Sequence, residues 1–78
     1  MNTRPNIDIS REAFIRFEAV RRSGVTNMLS TDVQGLAMIS KNEHHEIMRN
    51  YDVLKELYKD NLDVEVEPLA NELRERWE

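Results

Sequence analysis

Cysteine is absent from this 78-residue chain. Disulfides and thiolate zinc sites, two common supports of a small fold, are therefore excluded. Only two glycines and two prolines interrupt the sequence. Such sparse breakers leave long stretches of helix formers intact, and they predict an all-α fold. Aromatic residues are few: two Phe, two Tyr and one Trp. No apolar run approaches the roughly 20 residues of a membrane span. The stretch Met1 to Asp8 is polar and lacks the apolar centre of a secretory signal. These absences predict a cytoplasmic chain without membrane contact, with residues 1–8 flexible.

The marks of catalysis are missing too. There is no glycine-rich phosphate loop, no Cys nucleophile and no Ser, His and Asp spacing that points to a triad. One small helical core also leaves little room for a ligand pocket. The expectation is a non-enzymatic protein with no cofactor. At this length residues 1–78 make one domain, which buries only about 60% of the surface its unfolded chain exposes. Oligomerisation is the remaining way to enlarge the core.

What is present is charge, unevenly spread. The net charge is -4, yet residues 1–30 carry five basic residues against three acidic ones. Residues 31–78 carry six basic and twelve acidic. This polarity either orients a partner or second copy, or serves only as a solvated surface.

Helical spacing organises the rest. A first helix is predicted to start after Asp8 or Ser10, either of which can cap free N–H groups. Ala13, Phe14, Phe17 and Val20 form its apolar stripe, widened by Ile15 and Ala19. Arg21 and Arg22 suit its last turn, and Gly24 suits a left-handed C-terminal position. Thr31 and Gln34 are spaced as a capping box for a short second helix that buries Val33, Leu36, Ala37 and Ile39. Ser40 and Glu43 form a better box. It opens a predicted long helix over 41–59, with Ile47, Tyr51, Leu54 and Tyr58 on one face. Leu62, Val64 and Val66 alternate with acids, which predicts a short extended segment at 62–66. Pro68 then suits the first turn of a terminal helix, 68–77, with Leu69, Ala70, Leu73 and Trp77 as its stripe. The expected fold is a compact array of three to four short helices. The terminal stripe exceeds what so small a core can cover, so a homodimer is expected.

Between the first two helices runs Val25-Thr26-Asn27-Met28-Leu29. The apolar members are expected to plug the core. Thr26 and Asn27 have two readings: short side chains that fix a turn, or a recognition loop. The run Arg21-x-Ser23-Gly24-x-Thr26-Asn27-Met28-Leu29, followed by Val33-Gln34 and Ala37, resembles a small helical domain of unknown function in phage and prophage proteins of Gram-positive bacteria. The resemblance covers about a fifth of the chain. It implies a viral accessory protein and supplies no activity and no catalytic residues.

Two function classes follow. The first is a protein that binds, and inhibits or redirects, a protein partner. Its candidate contact residues are Thr26, Asn27, His44, His45, Arg49 and Trp77. The second is a DNA-binding helix-turn-helix within 33–51. There Ala37 and Ile47 have the ten-residue spacing of the motif's packed pair, and Asn42, His44, His45 and Arg49 lie on the presented helix. Lys41 in place of the turn glycine, Asn50 in place of an apolar residue, and the acids Glu43 and Glu46 weigh against this class. His44 and His45 are adjacent on a helix and point about 100° apart, so one ion cannot easily take both, and no metal site is expected.

Overall fold

The computed structural model describes residues 9–77, with the side chain of Trp77 excepted. The expected flexibility of residues 1–8 and a cap from Asp8 lie outside the described residues. The described residues form five helices: α1 (Arg11–Ser23), α2 (Asp32–Ala37), α3 (Lys41–Arg49), α4 (Tyr51–Leu57) and α5 (Leu62–Trp77). The fold is an all-α compact array, with no strand among the described residues.

The helix ends follow local chemistry. Ser10 Oγ accepts from the Ala13 N–H at 3.1 Å and starts α1. Gly24 ends it at φ 71°, ψ 16°. That left-handed conformation costs glycine nothing, and its N–H closes the helix on the Val20 carbonyl. Ser40 and Glu43 form the reciprocal box that opens α3. The box expected at Thr31 is not formed, because the Thr31 side chain makes no capping bond. Ser30 Oγ takes the Asp32 N–H instead, at 3.1 Å.

Two of the expected elements are corrected. The helix over 41–59 is broken at Asn50. The Asn50 side-chain amide donates to the Glu46 carbonyl at 3.0 Å and to its carboxylate at 3.2 Å. A side chain that bonds backbone in this way competes with the regular ladder. The segment 62–66 is helical, and α5 runs through it with Pro68 inside. Leu62, Val66 and Ala70 are buried at intervals of four, whereas Val64 is 72% exposed. The helical period therefore decides which residues meet the core. Pro68 removes the N–H that would bond the carbonyl four residues back, and that carbonyl belongs to the exposed Val64.

The acids that gave the alternating pattern receive arginines from α1. Arg11 pairs with Glu65 at 2.7 Å and donates to the Asp60 carbonyl at 2.7 Å. Arg22 pairs with Asp63 at 2.7 Å and with Glu67 at 3.1 Å. The contrast between a basic first part and an acidic second part is thus matched, in part, within the chain. α1 packs chiefly on α5 and next on α2. Phe14, Phe17, Val20, Val33, Ile47, Leu54 and Val66 are fully buried at the centre of the core. Leu29, expected to plug the core, is 78% exposed; Val25 and Met28 are half-buried.

Candidate functional site

An open groove lies between α1, α2 and α5. Arg16 and Ala19 come from α1, Gly35 and Leu36 from α2, and Leu69, Glu72, Leu73 and Arg76 from α5. The joint after α1 adds Val25 and Thr26. The groove holds about 620 Å³, more than the size of the chain led one to expect. Arg16 Nε donates to the Ala37 carbonyl at 2.7 Å and so ties α1 to the end of α2 across one wall. Leucine side chains make the floor, with Met38 at the lip, 71% exposed. Arg16, Arg76, Asp32 and Glu72 give a rim of both signs. At Gly35 a side chain would meet open space, with nothing within 4 Å of a Cβ.

Beneath the α1 wall sits a buried charge. Glu18 is completely buried within the apolar face of α1. Its carboxylate accepts from Tyr51 Oη at 2.7 Å, from Arg21 at 3.0 and 2.8 Å, and from Arg22 Nε at 3.0 Å. Burial alone drives this carboxyl's pKa up. The bonds from Arg21, Tyr51 and Arg22 outweigh that and leave it below the ordinary carboxylate value. Burial, reinforced by the bond to Glu18, pushes the Tyr51 hydroxyl up to about 12. Arg22 also holds Asp63 and Glu67, so one network joins α1, α4 and α5. Among the described residues every buried side-chain nitrogen and oxygen has a partner.

The second buried polar group is His44, 3% exposed. Its Nε2 lies 2.8 Å from the Met28 carbonyl, and Nδ1 lies 3.1 Å from the Gln34 side-chain amide. A carbonyl only accepts, so Nε2 carries the proton and Nδ1 accepts from Gln34. Both nitrogens are thereby engaged in holding the joint and α2 to α3, and neither is free for a metal or a partner.

The residues expected to bind a partner are thus separated. Thr26 lines the groove. Asn27 Oδ1 accepts from the Leu29 N–H at 2.8 Å, which makes it a turn former. His44 is a core group. His45 and Arg49 are exposed on α3, beside Leu29 and Met48, around a shallow depression of about 360 Å³. Trp77 is the last residue of α5, and its side chain lies outside the described residues. Sequence reasoning missed Glu18 and the groove. Glu18 carried a signal: it is the acid inside the apolar run Ala13 to Val20, with arginines three and four residues on. The groove had none, because its walls come from three helices. No helix among the described residues is long and apolar enough to cross a membrane. No family model matches the chain, and no curated protein or solved structure matches it.

Proposed function

We propose that this chain is a non-enzymatic, phage-type accessory protein of the host cytoplasm that binds a protein partner in the groove between α1, α2 and α5. The observation that carries the reading is the groove itself. It has an apolar floor of Leu36, Leu69 and Leu73, and it opens to solvent under a rim of both charge signs. A floor of this kind suits the apolar stripe of an amphipathic helix, and the rim suits the mixed charges that flank such a stripe. The resemblance of the run from Arg21 to Ala37 to a phage domain supports the viral setting. The partner helix belongs to a host protein or to a second copy of the chain.

Gly35 supplies the test. Gly35→Leu fills the groove from a position where the new side chain meets open space, so the fold is retained. A photo-crosslinking residue at Leu36 is expected to give a discrete protein adduct in bacterial lysate. The same residue at Val53, 42% exposed on α4, gives none, and Gly35→Leu abolishes the adduct at Leu36. Sedimentation of the purified chain tells host partner from second copy: a dimer lost in Gly35→Leu identifies the homodimer. Equal labelling from Leu36 and Val53, or an adduct indifferent to Gly35→Leu, defeats the reading.

A further inference from the structure

We infer that the α2–α3 corner is a helix-turn-helix whose second helix, α3, lays its exposed face on the major groove of duplex DNA. This surface is separate from the groove proposed above. It holds Lys41, Asn42, His45 and Arg49, none of which lines that groove.

The first observation is the turn. Three residues, Met38 to Ser40, separate α2 from α3, the length that joins the two helices of this motif. Met38 stands in the left-handed region at φ 55°, ψ 48°. Glycine usually meets that demand in such a turn; here a methionine does so at a backbone cost. The turn differs from the one sequence spacing suggests. The special turn position is Met38 rather than Lys41, and Gln34 with His44 makes a second pair across the corner at the same ten-residue spacing as Ala37 and Ile47, which are both buried in the core. The Gln34–His44 bond of 3.1 Å joins the helices directly.

The second observation is how α3 divides its side chains. Ile47 and His44 are buried, while Lys41, Asn42, His45, Met48 and Arg49 are exposed. The exposed set recurs at helical intervals and so forms one face. From Lys41 to Arg49 the helix rises roughly 12 Å, about the width of the major groove. The two acids of α3 are occupied. Glu43 accepts from the Ser40 N–H at 2.8 Å. Glu46 takes the Asn50 amide and stands 3.7 Å from Arg49, an exposed pair that a phosphate can replace. The exposed face thus carries Lys41, Asn42, His45, Met48 and Arg49, with the half-exposed Glu43 and Glu46 at its side; its two cations, imidazole and amide can meet phosphates and base edges once Arg49 exchanges Glu46 for a phosphate.

The test uses the whole chain and a labelled mixed-sequence duplex of about 24 base pairs, followed by fluorescence anisotropy at about 50 mM and about 200 mM salt. With about two phosphates contacted, by Lys41 and Arg49, affinity is expected to fall roughly 12-fold between the two salts. Lys41→Glu combined with Arg49→Glu weakens binding by about ten-fold or more at the lower salt, whereas Lys55→Glu on α4 leaves it within about two-fold. All the substituted residues are exposed, and an unchanged melting temperature verifies that each variant is folded. Absence of binding up to about 100 μM at the lower salt overturns the inference. So does an equal loss from Lys55→Glu, or tighter binding of single-stranded RNA of the same length.

Discussion

The two buried polar centres, Glu18 and His44, solve the same problem in opposite ways. Both lie on the core side of their helices, and the ring of Phe17 lies 6.2 Å from His44 and 6.2 Å from Tyr51, the hydroxyl partner of Glu18. Glu18 is buried as a charge, balanced by two arginines and a tyrosine hydroxyl. His44 is served by two neutral bonds, one of them to backbone. A buried charge needs every one of its partners, and losing one leaves an uncompensated ion. A neutral group needs only its own bonds, and its loss costs about that of the orphaned partners. The charged centre makes stability depend on pH through Glu18, and His44 holds the geometry of the joint and the α2–α3 corner.

Removing the ring that both centres touch, through His44 and Tyr51, should have the largest effect. Phe17→Ala is expected to cost about 3–5 kcal/mol, close to the whole stability of a domain this small. Chemical denaturation checks it, and a cost below about 2 kcal/mol would mean the core collapses into the space without harm.

Next comes the charged centre. Glu18→Gln removes the negative charge shared by Arg21 and Arg22 and turns an amide NH2 toward these donors, and should cost about 3 kcal/mol. The sign of the pH effect follows from the lowered pKa of Glu18. Its contribution is fully present above the unfolded value of about 4.3 and is lost as pH falls through the lower folded value. The stability difference between wild type and Glu18→Gln should thus shrink steadily in acid. A difference that stays constant from neutral pH to about pH 3 contradicts a charged Glu18 in the fold.

The neutral centre should cost less. His44→Leu keeps the volume but orphans the Gln34 amide and the Met28 carbonyl, for about 1–3 kcal/mol. Its hydrogen-exchange signature should appear in the joint around Met28 and in α2, with α5 unaffected; uniform loss of protection across α5 would erase the distinction between the centres.

The smallest effect is expected at Asn27. It makes an exposed turn bond to the Leu29 N–H, so Asn27→Ala should cost about 1 kcal/mol or less. Crosslinking from Leu36 should persist. A stable Asn27→Ala protein that no longer gives the Leu36 adduct would move the binding site onto the joint.

What the sequence determined by itself is what depends on neighbours within about one helical turn. Ser10, Gly24 and the pair Ser40 and Glu43 act on backbone groups no more than four residues away, so their roles were readable, and with them the all-α class and the placing of α1, α2 and the start of α3. The tertiary structure decided the rest. Leu62, Val64 and Val66 fit both a strand and a helix on local pattern, and the meeting of Leu62, Val66 and Ala70 with α1, fastened by Arg11 and Arg22, chose the helix. The break at Asn50 and the burial of Glu18 likewise depend on groups that meet only after folding. Tyr51 is 33 residues from Glu18 in the chain. The groove is a surface shared by three helices, and no one of them carries its pattern.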